Sequence, residues 1–388
     1  MKIVHICLSG YIDGWGYQEN LLPAYQAKAG HDVYVITSSN HFPVSIDNFK
    51  KKEIEQKGLD YIFEDVRILR IRTYINKNSL SLFGLSLYEI LKSVKPDVIF
   101  HHNVMLPSLF FAVLYKFTNK STHIVVDNHA DKINQTKKKI WFVLYYRLIT
   151  RSLLKLLTPY IVKYYGVTPA RCDYLNSVYG VPFKKIDLLP IGGDKELVNS
   201  IEDNLVHLKT KHNLPVDSKI IISGGKMGRN KGTISLIEAF KSINNDDHSV
   251  LLVLFGSFLD EDTRLIAQST SGVYIYGWCD RRNSLELLKL SHVACWPVHH
   301  TTLIEDAISC SVPIVIRKTN NTIHLVKGNG LFVENGDTKE LKIALKNIIN
   351  EKEYNHFKIK AKELSCQYSY DRIARKVIND IFDNHEVQ

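Results

Sequence analysis

Short apolar runs recur along the chain and alternate with stretches of helical spacing. "KIVHICL" (2–8) reads as a buried strand, and "QENLLPAYQAKAG" (18–30) as a helix, with Pro23 in its first turns and Gly30 at its end. "DVYVITS" (32–38) is the next strand. This strand–loop–helix–strand unit opens a parallel sheet. "DVIFHH" (97–102), "HIVVDNH" (123–129) and "YIVKYYGVT" (160–168) fit the same scheme.

A second series follows "LLPIGGD" (188–194). Its strands are "KIIISGG" (219–225), "VLLVLFG" (250–256), "VYIYG" (273–277), "VACWP" (293–297), "VPIVIR" (312–317) and "GLFVE" (330–334), with the helix "TISLIEAFKSI" (233–243) after the first. Pro190, Gly192 and Gly193 make a natural hinge between the halves. The fold class expected is α/β, two Rossmann-like domains facing each other across a cleft. The two share an architecture without an internal sequence repeat. Ligands in such sheets bind beyond the C-terminal ends of the strands.

Composition adds a charge asymmetry. The 388 residues carry a net charge of +10, with 45% apolar and 23% charged residues. Residues 1–190 hold 25 Lys and Arg against 15 Asp and Glu, while 191–388 balance at 25 each, so the whole excess lies in the first half. The six cysteines are scattered without metal-ligand spacing, which suits a reducing compartment. "MKIVHICLSG" is too short for a signal peptide, and no run of about 18 apolar residues spans a bilayer.

Five stretches carry candidate chemistry. "SGYIDGWGYQEN" (9–20) places Gly14 and Gly16 between a strand and a helix, where backbone approaches an anion closely. It lacks the third glycine of a dinucleotide loop, and the next strand ends in Ser38, Ser39 and Asn40 rather than an acid. "GGKMGRNKGT" (224–233) sets Lys226, Arg229 and Lys231 before a helix, suited to a diphosphate but not spaced as a Walker loop. "VVDNHADKINQ" (125–135) puts Asp127 and His129 on one face of a strand end, and His101 and His102 offer a similar pair. "PVHHTTLIED" (297–306) has two readings. Thr302 and Glu305 fit a capping box; alternatively Glu305 accepts ribose hydroxyls while amides near Thr301 and Thr302 meet phosphate. In residues 137–165, Arg147, Arg151 and Lys155 recur every four positions among apolar and aromatic residues. That pattern fits either an anionic membrane surface or a core helix with one solvated face.

In this order the motifs resemble glycosyltransferases of family 4, in the bacterial capsule and surface-polysaccharide branch, over nearly the whole chain. "HICLSGYIDGWGYQENLLPAYQAKAGHDVYVIT" resembles the family's glycine loop and first helix, and "GGKMGRNKGTISLIEAF" its diphosphate-gripping segment, with Lys226 at the usual arginine and Lys231 at the usual lysine. "LIEDAISCSVP" resembles the region of the E-x7-E motif and places Glu305 at its second, ribose-binding acid. Pro297 stands eight residues before Glu305, and His299, His300, Thr301 and Thr302 fill the interval instead of the first acid. His129 matches the first-domain histidine that meets the donor sugar.

The resemblance implies a GT-B fold. Residues 1–190 would form the acceptor-side domain, 191–369 the nucleotide-sugar domain, and a C-terminal helix at about 370–388 would pack back on the first. It implies a retaining, metal-independent glycosyltransferase without a prosthetic group. The donor is a nucleotide-diphosphate sugar, UDP-linked by family frequency, with Gly277 near the base. The partners implied are a glycan or lipid-linked acceptor and the anionic inner face of a bacterial membrane. The protein is expected in the cytoplasm, peripheral on that face, with no nucleic-acid partner, since no reader motif is recognisable. A sugar-nucleotide epimerase of the same fold and a non-catalytic sugar-nucleotide binder are the alternative readings.

Overall fold

The computed structural model describes residues 1–382 except 8–10, 43–45, 47, 78–79, 84, 105, 134 and 245–248. Ser9 and Gly10 of the first glycine loop, and 383–388 of the expected C-terminal helix, therefore lie outside the described residues. Contacts divide the chain into two α/β units, Met1–Pro190 with Ile373–Gln388, and Ile191–Arg372.

The first unit is built on β1 (Lys2–Cys7), β2 (Asp32–Ser38), β3 (Asp60–Phe63), β4 (Val66–Ile71), β5 (Val98–His101), β6 (His123–Asn128), β7 (Lys163–Gly166) and β8 (Ile186–Leu188). They lie in the order β8-β7-β6-β5-β1-β2-β4-β3. β3 is antiparallel to β4, and the other pairs are parallel. The chain starts in the middle of the sheet and winds outward both ways, so the strand order reverses between β1 and β5. Loops diverge at that point and leave a crevice at the carboxyl edge. On one face Val4, Ile6, Ile99, Ile124 and Val126 join the apolar core. Near the C-terminus, Tyr165 donates its hydroxyl to Asp380 at 3.0 Å, and Lys376 reaches Asp187 at 2.6 Å, so the helix Tyr370–Phe382 is held to β7 and β8.

The second unit has six parallel strands, β9 (Lys219–Met227), β10 (Val250–Phe258), β11 (Val273–Gly277), β12 (Val293–Trp296), β13 (Ile314–Arg317) and β14 (Gly330–Val333). Their order is β11-β10-β9-β12-β13-β14, with the reversal between β9 and β12. Apolar clusters cover both faces, one around Ile220, Ile222 and Ile304 and the other around Ile221, Phe240 and Leu254.

Two local expectations are corrected. The 137–165 stretch is not one regular helix. It runs as a short helix (Lys139–Trp141), a π-helical segment (Phe142–Thr150), an α-helix (Arg151–Leu157) and a 3-10 turn (Thr158–Tyr160). The turn is wider in the π segment, and Arg147, Arg151 and Lys155 all remain exposed. Tyr145, Tyr146, Thr150, Leu154 and Leu157 turn inward, while Ile140, Val143, Leu144, Leu148, Ile149 and Leu156 stay exposed beside Arg147, Arg151 and Lys155. The solvent face is thus apolar as well as basic. Second, the capping box at 302–305 does not form. Thr302 is itself helical (φ −61°, ψ −17°), and its side chain caps nothing. A cap residue must leave the helical region for its oxygen to reach the first free amides.

Candidate functional site

At the carboxyl edge of the first sheet, Gly14 (φ 76°) and Gly16 (φ 69°) lie in the turn after β1. Buried Asp13 anchors this turn, accepting from Lys57 at 2.8 Å and from the Tyr61 hydroxyl at 3.0 Å. The helix Gln18–Lys28 follows. Its first residue, Gln18, is 2% exposed, yet neither Nε2 nor Oε1 has a hydrogen-bond partner among the described residues. A buried amide with both ends unpaired costs stability, which marks a place where a polar ligand would restore the bonds. Gln18 was not singled out from sequence. Its position as the first helical residue after the glycine turn was the available signal.

Asp127, next to last in β6, is fully buried, and His129 follows the strand with 24% of its side chain exposed. The strand end brings the two together, His129 Nε2 lying 3.3 Å from Asp127 Oδ2. The same oxygen accepts from His102 Nδ1 at 2.9 Å, and Oδ1 accepts from the Asn103 amide at 2.6 Å. Asn103 adopts the left-handed conformation (φ 65°) and accepts the His129 amide on its side-chain oxygen at 3.0 Å. Burial alone would raise the Asp127 carboxyl. His129 and His102 override it and hold the group far below the usual carboxylate range. Burial disfavours a charged His129, but Asp127 outweighs it and raises the imidazole above its ordinary value. His101 turns elsewhere, to the Ser108 hydroxyl at 2.9 Å, and burial lowers it to about 4.

In the second unit, Lys226 lies at the end of β9 and Lys231 in the 3-10 turn Arg229–Lys231. Among the described residues neither has an ion-pair partner, whereas Arg229 lies 3.8 Å from Asp262. Two unpaired ammonium groups beyond a strand end leave their charge available to an anion. Gly232 (φ 76°) fixes this turn. A Cβ there would sit 2.6 Å from Val298 and 2.8 Å from Pro297, so the basic turn rests directly on the segment after β12. Burial and Lys231 together lower His299 in that segment.

Glu305 is fully buried in the helix Leu303–Ser309. His300 Nε2 meets its Oε1 at 2.7 Å, and among the described residues Oε2 has no partner. Thr301 and Thr302 lie half-buried just before this helix, and the Thr301 carbonyl accepts the Ile304 amide at 3.0 Å. Next along the helix, Asp306 is clamped by two Arg281 nitrogens at 2.5 and 2.7 Å. That pair fixes the helix, and Glu305 keeps an oxygen in reserve. Gly277 (φ 82°) ends β11 at the edge of the sheet, two strands from β9, with open space where a Cβ would stand and Trp278 exposed after it. Lys226, Lys231, His300, Thr301, Thr302 and Glu305 therefore flank the β9–β12 reversal, and Gly277 stands apart from it.

Residues 207–364 match the family described as "Glycosyl transferases group 1". No curated protein matches the chain in sequence. Among solved structures, a glycosyltransferase from Rickettsia africae is 14% identical with a TM-score of 0.70, covering 100% of this chain and 99% of that one. Anabaena HepE in complex with UDP is 15% identical with a TM-score of 0.71, covering 98% and 99%. The UDP-GlcNAc 2-epimerase of Neisseria meningitidis, bound to UDP-GlcNAc, is 15% identical with a TM-score of 0.61, covering 99% and 100%. Likeness at this identity concerns the fold. The chain has the GT-B fold, and residues 207–364 carry a group 1 glycosyltransferase domain.

Proposed function

We propose that the protein is a retaining, metal-independent glycosyltransferase of family 4 that moves a hexosyl or N-acetylhexosaminyl unit from a nucleotide-diphosphate sugar to a glycan acceptor. The observation that carries this reading is the buried Glu305 at a strand-order reversal that Lys226 and Lys231 also flank, with one carboxylate oxygen unpaired and neither lysine in an ion pair among the described residues. The unpaired carboxylate oxygen suits ribose hydroxyls, and Lys226 and Lys231, with amides near Thr301 and Thr302, suit the diphosphate. Gly277 leaves room for a base. UDP is the nucleotide we favour, the one bound by Anabaena HepE in its complex.

As the glycosidic bond breaks, negative charge grows on the leaving diphosphate. Lys226, Lys231 and the Gly14–Gly16 turn would stabilise it, so that no metal is required. The departing phosphate oxygen would take the acceptor's proton, which leaves no need for a strong carboxylate base. His129, oriented by Asp127, would hydrogen-bond the donor sugar.

The acceptor we favour is a lipid-linked sugar of bacterial capsule or surface-polysaccharide synthesis, met at the inner face of the membrane. The exposed apolar face of residues 139–157 supports this, together with a concavity of about 510 Å³ lined by Lys138, Lys139, Ile140, Trp141 and Leu144. From 132 to 172 the sequence holds no acid, which suits an anionic surface. Among the described residues no helix is long and apolar enough to cross a membrane. A panel of nucleotide sugars offered with a lipid-linked acceptor, read by product mass, tests the reading. The fold shared with the Neisseria epimerase keeps a second reading. Without acceptor, an epimerase changes the sugar and leaves the nucleotide attached; nucleotide binding with no turnover of any kind would mark a non-catalytic member.

A further inference from the structure

A run of polar side chains lies buried in the first unit, and its members behind Asp127, namely His102, His5 and Gln26, have no part in the reaction described above. Gln26 Oε1 is 2.7 Å from His5 Nε2, His5 Nδ1 is 3.1 Å from His102 Nε2, and His102 Nδ1 is 2.9 Å from Asp127. Asp127 then meets His129. Gln26, His5, His102 and Asp127 are each no more than 1% exposed. The rings also pack together, Phe100 lying tilted 4.7 Å from His102 and stacked 5.2 Å from His5 between centroids. Burying two imidazoles and a carboxylate is costly, and apolar residues of the same volume would serve stability as well. A hydrogen-bonded polar chain does something apolar packing cannot, which is to set the direction of each hydrogen bond.

We propose that His102, backed by His5 and Gln26, is a positioning residue that holds Asp127 and thereby sets the orientation and tautomer of His129. This rests on the reading of His129 as the residue that meets the donor sugar. Asp127 cannot rotate without losing its bonds to the Asn103 amide and His102. Held so, it receives the Nε2 hydrogen of His129, and a neutral His129 carries its lone pair on Nδ1. The His102 ring is held by His5, and its backbone by the hydrogen bond that its amide donates to the Ile6 carbonyl at 3.0 Å. Burial and neighbouring His102 lower His5 to about 3, so it serves as a neutral link. Second-layer partners of this kind commonly change activity by roughly tenfold or more.

His102→Phe keeps the ring stack and removes the hydrogen bond, with His102→Leu as a second apolar variant. His102→Asn returns an amide N–H towards Asp127. Melting profiles first establish that each variant is folded. Nitrogen-15 NMR of His129 at pH 9 should show the single Nε2–H tautomer in the wild type and in His102→Asn, and a mixture in the apolar variants. In sugar transfer, the apolar variants should lose about tenfold in kcat with donor KM within about twofold, and His102→Asn should stay within about threefold of wild type. A single Nε2–H tautomer in folded His102→Phe or His102→Leu overturns the proposal. So does an equal kcat loss in the Asn and apolar variants. If the wild type transfers no sugar, the functional reading fails, and the NMR measurement still decides the positioning role.

Discussion

His300 donates to Glu305 across 2.7 Å, reaching from the segment just before the helix Leu303–Ser309 into its first turn. The imidazole takes one carboxylate oxygen and leaves the other, fully buried, without a partner among the described residues. Glu305→Gln keeps the shape and removes the charge. UDP binding, measured by calorimetry, should weaken at least about tenfold, since a hydrogen bond to a charged group is worth roughly 1.5–3 kcal/mol. A lowered melting temperature with unchanged UDP affinity would make the carboxylate purely structural.

Lys226 and Lys231 should read phosphate and not nucleoside. Lys226→Gln and Lys231→Gln should each weaken UDP binding by about three- to tenfold, more steeply at low salt, and leave uridine binding unchanged. Equal weakening towards uridine would place the lysines on the base or ribose instead.

The Asp127–His129 pair predicts a stability window in pH. Asp127 is depressed below its ordinary 3.8, so its contribution is present above about pH 4 and is lost as pH falls towards its folded value. His129 is raised above 6.5, so its contribution is full below about pH 6.5 and is lost as pH rises through its folded value. Chemical denaturation of wild type and Asp127→Asn should differ most between about pH 4 and pH 6.5 and converge on both sides. A pH-independent difference would show that burial, and not the ion pair, governs this site.

Membrane contact should depend on two kinds of residue. Arg147→Glu, Arg151→Glu and Lys155→Glu together should release the protein from vesicles containing anionic lipid. Trp141→Ser with Leu144→Ser should abolish the part of the binding that survives about 0.5 M salt, because apolar insertion is not screened. Unchanged vesicle binding in both variants would remove the membrane from the reading.

Much of the architecture was legible because a strand in a parallel sheet announces itself locally. "KIVHIC" and "KIIIS" are continuous apolar runs, and Gly14, Gly16 and Gly232 mark turns that need positive φ. The cations of 224–233 were legible for the same reason, since charge placed after a strand and before a helix lies at the carboxyl edge of a parallel sheet. The fate of Glu305 was not. Its capping-box spacing is a real local signal, but whether it acts depends on the backbone angles of Thr302, which the chain around it decides. Nor could spacing divide "FHH" into His101, bonded to Ser108, and His102, bonded to Asp127, because that choice depends on which strand lies alongside. The regular spacing of Arg147, Arg151 and Lys155 predicted a basic face, but not the π-helical segment that carries its first part nor the exposed apolar residues beside it. The sequence by itself determined the strands, the glycine turns and the charge of each half, all set by a few neighbouring residues. Only the tertiary structure decided which buried polar atoms are paired and which are left open, because partners such as Gln26 for His5 and His102 for Asp127 come from distant parts of the chain.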